Sequence, residues 1–82
     1  MFYVYIIQSQ RNGRYYIGSG IDVPQRLQQH NIGMTKSARN LRPWKLVYSE
    51  EHETLARARK RESQIKSWKN PEFMRQALGL KE

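Results

Sequence analysis

A chain of 82 residues with 38% hydrophobic and 27% charged residues has the length of one small domain and the composition of a folded globular protein. The absence of cysteine excludes a disulfide framework, a thiolate metal site and a cysteine nucleophile. Fifteen lysines and arginines against seven acidic residues give a net charge of +8, which is typical of a nucleic-acid-binding domain.

Charge alone does not separate a nucleic-acid binder from a ribosome-associated protein or a protein of anionic membrane surfaces. No apolar run in the sequence is long enough to cross a bilayer. The first residues lack the basic start, the long apolar segment and the cleavage site of a signal peptide. We therefore expect one cytoplasmic domain over residues 1–82, with no membrane partner.

The first predicted element is a β-hairpin. Two segments rich in β-branched and aromatic residues, FYVYIIQ and YYIG, flank the sequence SQRNGR. The Asn-Gly pair in this connection favours a type I′ turn, because both central residues of that turn need positive φ. With that turn at the centre, Ser9 faces Tyr16 and Ile7 faces Gly18, and Tyr5 lies diagonally from Gly18.

This register separates the aromatic residues of the hairpin onto two faces. Side chains alternate along a strand, so Tyr5 and Tyr16 share one face, together with Gly18. The opposite face has the composition of a core and contains Phe2, Val4, Ile6, Tyr15 and Ile17. A glycine within a strand is typical of a bulge or of a close approach by another group. The tyrosine face is therefore either a half-buried aromatic surface with hydroxyls in water or part of a functional site.

The segment DVPQRLQQHN predicts a helix of about ten residues. Asp22 can cap its first amides, and Pro24 falls in the first turn, where a missing N–H is tolerated. Arg26 and His30 are four residues apart and therefore lie on the same side of this helix. They are either long side chains that reach water beside the apolar stripe or parts of an anion site.

A polar, basic loop with the sequence IGMTKSARNLR follows, and PWKLVYSE predicts a third strand with Pro43 at its first position. The segment TLARARKRESQIKSWK predicts a long helix capped by Thr54. NPEFMRQALGL predicts a last helix capped by Asn70, with Pro71 at its first position. The order ββαβαα predicts an α+β domain with a small three-stranded antiparallel sheet flanked by helices.

The long helix has a carboxylate where its apolar stripe should face the core. Steps of three and four residues define this stripe through Leu55, Ala58, Glu62 and Ile65. Carboxylates are rarely buried unless they are paired or bound to a metal. Glu62 is therefore either in an ion pair, with Arg26 or a neighbouring base, or a metal ligand. Weak candidates for phosphate contacts, in this helix and in the basic loop, are Lys36, Arg39, Arg42, Arg61, Lys66 and Lys69.

Four features together resemble the GIY-YIG nuclease family. They are YVY in the first strand, YIG in the second, an arginine followed four residues later by a histidine in the next helix, and a glutamate within a basic helix. The similarity covers nearly the whole chain. It is greatest to small single-domain bacterial proteins similar to the N-terminal catalytic domain of the bacterial excision-repair nuclease. The first motif reads Tyr3-Val4-Tyr5 here instead of Gly-Ile-Tyr, which retains the functional tyrosine.

The resemblance implies roles for residues of the hairpin and the first helix. Tyr5 and Tyr16 would be the two motif tyrosines, and Gly18 would be the motif glycine. Arg26 would stabilise the transition state, and His30 would transfer a proton or position the phosphate. A tyrosine can act as a base only if its pKa of about 10 is lowered. We expect positive charge from Arg26, His30 or a metal to lower it.

The resemblance also implies that Glu62 is the ligand of one Mg²⁺ or Mn²⁺ ion, since one carboxylate with several waters and a phosphate oxygen is a usual Mg²⁺ site. The family often has an asparagine near its C-terminal end. Asn70 is the candidate for that residue, although its role as a helix cap already explains it. The implied activity is a metal-dependent endonuclease that cleaves one DNA strand in repair or processing, with structure selectivity or weak specificity.

Two other interpretations remain open at this point. In the first, the domain is a nucleic-acid-binding module that does not cleave. In the second, it is an accessory subunit of a larger repair complex, and the apolar tail ALGL is a contact with that complex. A protein partner or a homodimer is compatible with either interpretation. Trp44, Trp68 and Phe73 are candidates for base stacking, although their positions in a strand and in helices favour core packing.

Overall fold

The computed structural model describes residues 1–33 and 40–80 of the chain. Its elements are the strands β1 (Phe2–Ser9), β2 (Tyr15–Gly20) and β3 (Trp44–His52) and the helices α1 (Val23–Asn31), α2 (Leu55–Ser67) and α3 (Pro71–Leu78). The predicted α+β class and the order ββαβαα are confirmed. Two of the weak phosphate-contact candidates, Lys36 and Arg39, lie outside the described residues.

The central strand β1 has an apolar sequence because it is covered on both faces. The antiparallel sheet has the order β2-β1-β3. On one face, α2 and α3 cover Val4 and Ile6. On the other face, Tyr5 and Ile7 pack with residues of α1 and with Trp44. Burial of side chains of this size contributes about 1.5–3 kcal/mol each, so the two cores together fix the sheet between its helices.

The tyrosine face is a second core, because α1 covers it. Tyr5 is fully buried, so the interpretation of a half-buried aromatic surface is wrong at this residue. Tyr16 and Leu27 pack at the border of the same core. Trp44 is also buried there, which confirms the core-packing interpretation of that tryptophan.

The hairpin register differs by two residues from the predicted register. Tyr5 pairs directly with Gly18, and Ile7 pairs with Tyr16, whereas the sequence predicted Ile7 opposite Gly18. A shift of two residues moves each side chain along the strand without moving it to the other face. The prediction that Tyr5 and Tyr16 share a face is therefore confirmed, although their predicted partners were wrong.

The shift arises because the hairpin has a wider loop than a two-residue turn. The Ser9 N–H donates to the Arg14 carbonyl at 2.8 Å. The Ser9 hydroxyl oxygen accepts hydrogen bonds from the N–H groups of Arg11 at 3.1 Å and Asn12 at 3.3 Å. Positive φ is needed at Gly13, where it is +79°. Side-chain hydrogen bonds of this kind offer the backbone an alternative to the tight turn that Asn-Gly favours.

The three predicted N-caps are confirmed. The side chains of Asp22, Thr54 and Asn70 accept hydrogen bonds from backbone N–H groups in the first turns of α1, α2 and α3. Pro43 immediately precedes β3 instead of starting it. Within the part of the chain that the structure describes, no helix has the length and apolar character needed to cross a bilayer.

The apolar tail ALGL covers the chain's own core. Leu78 and Leu80 both pack against the core cluster beneath α2 and α3. Gly79 lies between them in the left-handed conformation, with φ of 69°, and so ends α3 in the manner common for helices. Packing against the core accounts for the apolar character of this tail, so a contact with a larger complex is not needed to explain it.

Candidate active site

Tyr5 crosses the edge strand β2 at a residue without a side chain. β2 is an edge of the sheet, and Tyr5 pairs with Gly18. A Cβ atom on Gly18 would lie 2.6 Å from the Tyr5 hydroxyl oxygen and 2.7 Å from its Cζ, which is closer than non-bonded atoms of this kind approach. The close approach that a glycine in this strand predicted is therefore made by the Tyr5 ring.

His30 is buried beside the two motif tyrosines. It is 3% exposed. Its Nε2 lies 3.3 Å from the Tyr5 hydroxyl oxygen, and its ring centroid lies 4.6 Å from that of Tyr16. Burial lowers the pKa of His30, and the positive charge of Arg26 lowers it further. The imidazole is therefore neutral at pH 7.

Burial also determines the protonation of Tyr5. Loss of hydration raises the pKa of the Tyr5 hydroxyl, and the hydrogen bond and charge of Arg26 oppose this without reversing it. The positive charge of Arg26 therefore lowers the pKa of Tyr5 as expected, but by less than burial raises it. Desolvation destabilises the phenolate more than the guanidinium stabilises it. Tyr5 keeps its proton at pH 7 and can donate a hydrogen bond.

Arg26 lies at the exposed border of this core. It extends from α1, and its Nη1 donates to Gln29 Oε1 at 3.4 Å. A Cβ atom on Gly20 would be 3.5 Å from Arg26 Cγ, which places the arginine stem against the end of β2. The guanidinium acts electrostatically on both Tyr5 and His30. An exposed guanidinium in this position is suited to bidentate binding of a phosphate.

Glu62 approaches the same edge strand from the other face of the sheet. Ser19 Oγ donates to Glu62 Oε1 at 2.7 Å, and Lys66 Nζ lies 2.6 Å from Oε2. Burial raises the pKa of the Glu62 carboxyl, but the hydrogen bonds from Lys66 and Ser19 outweigh this, so that the pKa is lowered overall. The ion-pair interpretation of Glu62 is realised with Lys66. The salt bridges of the described residues include none between Arg26 and Glu62.

Tyr5 and Glu62 therefore meet the edge strand at adjacent residues, from opposite faces. Gly18 lies under the Tyr5 ring, and Ser19, the next residue, binds Glu62. The negative charge of Glu62 is one of the causes of the raised pKa of Tyr5. The structure thus brings Tyr5, Tyr16, Gly18 and His30 into direct contact or pairing, with Arg26 beside them and Glu62 across the strand.

The donor set at this edge fits a weakly ligated Mg²⁺ or Mn²⁺ ion. Residues 1–33 and 40–80 contain no group of three or more histidine or acidic side chains that could enclose a metal. An ion here would have one protein carboxylate, that of Glu62, with water and substrate oxygens as its other ligands. Mg²⁺ retains several waters and is commonly bound in this way.

The weak phosphate-contact candidates separate into two groups. Arg61 is engaged in the fold, because its Nε donates to Glu50 at 3.1 Å and its guanidinium lies 5.6 Å from the ring centroid of Trp68. Arg42 lies just before β3, at the opposite edge of the sheet from β2. Lys66 and Lys69 follow Glu62 along the C-terminal half of α2 and just beyond it. Of the four candidates that the structure describes, Lys66 and Lys69 are the two on the Glu62 side.

The remaining aromatic candidates pack against each other. The rings of Trp68 and Phe73 meet edge to face, with centroids 5.2 Å apart. Trp68 also borders the core beneath α2 and α3, whereas Phe73 is 51% exposed. Core packing therefore describes Trp68, and Phe73 lies at the surface beside it.

Two residues that shape the site were missed from the sequence. Ser19 follows YIG and alternates to the face opposite Tyr5, which is the core face that the apolar stripe of the long helix was expected to cover. Strand alternation could therefore have identified it, although Glu62 was expected to converge with Arg26 and His30 at the tyrosine face. Asn31 fixes the end of α1 to β3, because its side chain accepts from the Trp44 N–H at 2.6 Å and donates to the Trp44 carbonyl at 3.0 Å. No local pattern indicates this second contact, which holds the neighbouring His30 in place.

The chain is similar to known proteins over most of its length. The model of the GIY-YIG catalytic domain family matches residues 1–76. UPF0213 proteins of Staphylococcus aureus strains Mu3, Mu50 and N315 are each 38% identical to the chain over 74 residues, which are 89% of the chain and 89% of each relative. The names of these relatives state no activity. No solved structure matches the chain.

Proposed function

Because the chain belongs to the GIY-YIG catalytic domain family, we propose that it is a divalent-metal-dependent endonuclease that hydrolyses one strand of DNA. Family membership supports a nuclease that acts on nucleic acid. We further propose that its substrate is DNA, that it requires a metal ion, and that it prefers nicked or branched structures in a cytoplasmic role in repair or processing. One observation supports it most: Tyr5 and Glu62 reach adjacent residues of an edge strand from opposite faces.

Hydrolysis of a phosphodiester requires that water lose a proton, that the non-bridging oxygens be stabilised as their charge grows, and that the leaving oxygen be stabilised. The guanidinium of Arg26 would bind the non-bridging oxygens, because its planar fork matches two phosphate oxygens and its charge is permanent. Its exposure at the border of the tyrosine core leaves it accessible to a phosphate that approaches the edge of β2.

The two tyrosines would have different roles. His30 Nδ1 is buried without a hydrogen-bond partner among the described residues. Since an unpaired buried N–H is the rarer case, the ring proton belongs on Nε2, which then donates to the Tyr5 oxygen. The O–H of Tyr5, which is fully buried in the free protein, would then be directed towards the border where Arg26 lies and where a phosphate or the attacking water would bind. Tyr16, which contacts His30 and is less buried, is left as the tyrosine that takes part in proton transfer.

Glu62 would hold the metal ion. Its Oε1 is oriented by Ser19, and its Oε2 faces Lys66, whose side chain is 54% exposed and can move into solvent. A bound divalent ion supplies Lewis-acid stabilisation of the leaving oxygen. The protein's own contribution is to fix the direction of the carboxylate through a hydroxyl on the rigid edge strand.

The direct test is cleavage of nicked, flapped, branched and plain DNA with Mg²⁺ or Mn²⁺. We expect wild-type protein to nick at least one of these substrates and Glu62→Gln and Arg26→Ala each to reduce the rate by about 100-fold or more. Glu53→Gln and Arg57→Ala, which change exposed residues near the start of α2, are the matched controls.

Cleavage that survives both substitutions would contradict the proposed site. Wild-type protein that binds DNA but cleaves none of the four substrates would instead favour the nucleic-acid-binding module. The ion pair between Glu62 and Lys66 is compatible with this second function, because a binding module that does not cleave could retain the pair as a structural contact.

A further inference from the structure

A groove of about 400 Å³ runs along β2 beyond Glu62, between the hairpin loop and the junction of α2 with α3. Its walls include Tyr15 and Ile17 of β2, and its floor includes Ile65 and Met74, which are 1% and 3% exposed. Four cationic side chains surround it: Arg14, Lys66, Lys69 and Arg75. Lys66 and Arg75 are ion-paired with Glu62 and Glu72, so the groove combines an apolar interior with a border whose net positive charge comes from the other two cations.

We propose that this groove binds a nucleotide of the substrate strand two or three positions from the scissile phosphate. The proposal rests on the nuclease function above for the identity of the strand. A nucleotide has an apolar base face and an anionic phosphate, and the groove offers a matching surface to each. Bare phosphate would use only the charged border, and an apolar peptide would use only the interior.

The distance from Glu62 sets the position of the bound nucleotide. Lys66 belongs to both sites, since its Nζ lies 2.6 Å from Glu62 Oε2 and its side chain lines the groove. From Glu62 to Lys69 the chain advances by about 10 Å, at about 1.5 Å per helical residue. Consecutive nucleotides of one strand advance by about 3.4 Å in a duplex. For a strand that keeps this spacing up to the bound nucleotide, the far end of the groove is about three nucleotides from the proposed metal ligand.

The border residues are held in place by the fold. Arg75 is paired with Glu72 at 2.8 Å and also interacts with the Tyr15 hydroxyl. The Tyr15 ring lines the groove, where an aromatic side chain provides a surface for base stacking. Prepared contacts of this kind reduce the ordering that binding requires.

Lys69 has an unusual backbone conformation for a lysine. Its φ is 56°, at the residue that follows the C-cap of α2, and glycine is the residue most often found there. The lysine adds a positive charge to the border of the groove. Its charge also faces the C-terminus of α2, which favours cations in any helix. The affinity for an oligonucleotide therefore reports on the role of Lys69 in the groove, whereas the free energy of unfolding reports on its role at the end of α2.

The experiment is titration of the full chain, without metal, with a single-stranded oligothymidylate of eight nucleotides. We expect NMR shift changes at the Met74 methyl group and at the amides of Tyr15 and Ile17. The double variant Arg14→Gln/Lys69→Gly should bind about fivefold or more weakly, and the slope of log affinity against log salt should fall by about 1.4, or 0.7 per lost phosphate contact. Glycine suits the φ at position 69, so this variant retains the end of α2.

The matched control is the double variant Lys45→Gln/Lys60→Gln, which removes the same charge from exposed residues of β3 and the outer side of α2. We expect less than a twofold change in its affinity. Equal weakening in the two double variants, or no shift at Met74, would overturn the proposed groove. Neither result depends on cleavage. Cleavage of DNA without these NMR shift changes would contradict the proposed groove alone. Shift changes without any cleavage would support nucleotide binding in the groove and contradict the proposed nuclease activity.

Discussion

Two neighbouring residues of α2 connect to opposite edges of the sheet and form two different carboxylate clusters. Ser19 of β2 and Glu50 of β3 both pair with Val4 of the central strand. On the β3 side, Arg61 Nε donates to Glu50 at 3.1 Å. On the β2 side, Glu62 accepts from Ser19 at 2.7 Å. The same turn of α2 therefore supplies an arginine to the carboxylate at the β3 end of this row of the sheet and a carboxylate, Glu62, to the β2 end.

In the β3-edge cluster, which consists of Glu50, Tyr48, His52 and Arg61, the carboxylate of Glu50 is bound by three side chains of the chain itself. Glu50 accepts from the Tyr48 hydroxyl at 2.5 Å, contacts His52 Nε2 at 2.5 Å and binds Arg61 through both oxygens. Burial raises the pKa of Glu50, but these hydrogen bonds and the charge of Arg61 lower it overall. A carboxylate has about four acceptor positions, so few remain for an external ligand.

In the β2-edge cluster, which consists of Glu62, Ser19 and Lys66, the carboxylate of Glu62 is more available to an external ligand. Glu62 has one partner fixed in a strand, Ser19, and one long, exposed partner, Lys66. The contrast shows that burial and a lowered pKa, which both carboxylates share, do not separate a structural carboxylate from a candidate metal ligand. The number of fixed partners does.

Crowding at the β2 edge gives the largest expected effect. In Gly18→Ala, the new methyl group would meet the Tyr5 hydroxyl at 2.6 Å, so the ring must move. We expect DNA nicking to fall by about 100-fold, the effect of a misplacement of about 1 Å at a reacting centre, and the unfolding free energy to fall by about 1–3 kcal/mol.

Gly20→Ala is the matched control for this change. A Cβ atom on Gly20 would make an ordinary contact with Arg26 Cγ at 3.5 Å, so nicking by this variant should stay within about threefold of wild type. Wild-type nicking by Gly18→Ala would show that the placement of Tyr5 over the edge strand is not needed for activity.

Exchange of the two carboxylates for amides should have opposite consequences at the two edges. Glu50→Gln removes a charge on which Arg61, Tyr48 and His52 converge, and we expect urea denaturation to show a loss of about 1–3 kcal/mol. Nicking by the folded variant should change by less than about twofold. Glu62→Gln should lose less than about 1 kcal/mol, because its charged partner is exposed, and should lose nicking. If both substitutions lowered stability and neither changed nicking, the distinction between a structural carboxylate at Glu50 and a metal ligand at Glu62 would be wrong.

Local signals in the sequence were sufficient for most of the fold. Asp22, Thr54 and Asn70 act as caps through their own first turns, so no distant contact was needed to identify them. The hairpin register could not be predicted in the same way. The Ser9 hydroxyl competes with the tight Asn-Gly turn through hydrogen bonds to the loop, and a local pattern does not reveal which arrangement is more stable.

The candidate site was predictable in composition but not in its protonation. Alternation along the strands placed Tyr5 and Tyr16 on one face, and a two-residue shift of register preserved that result. The raised pKa of Tyr5 depends on how completely α1 covers it, which is a property of tertiary packing. The β3-edge cluster was missed, although Tyr48, Glu50 and His52 alternate onto one face and offered a signal of the same kind.

His30 and Glu50 should respond to acid at different pH values. The pKa of His30 is lowered from 6.5 by burial and by Arg26, so the unfolded chain binds more protons below about pH 6.5 and the unfolding free energy falls as pH decreases towards the folded pKa. The pKa of Glu50 is lowered from 4.5, so its contribution is lost only below about pH 4.5. Denaturation measured across pH should show the first decrease abolished in His30→Gln and the second reduced in Glu50→Gln. Superimposable pH profiles for wild type and His30→Gln would contradict the neutral, buried imidazole.

The smallest expected effect on stability distinguishes the two basic partners. Lys66→Gln removes an exposed ion pair four residues along the helix, worth about 0.3–0.5 kcal/mol, whereas Arg61→Gln should lose about 1–3 kcal/mol. Without DNA, Mn²⁺ should bind Lys66→Gln about 30-fold more tightly than wild type, since a unit charge about 4 Å from a divalent ion in water contributes about 2 kcal/mol of repulsion. Arg61→Gln should leave the Mn²⁺ affinity unchanged, because Arg61 is directed to the other edge. Water-proton relaxation during a Mn²⁺ titration measures both affinities, and equal affinity in wild type and Lys66→Gln would mean that Glu62 does not bind the ion.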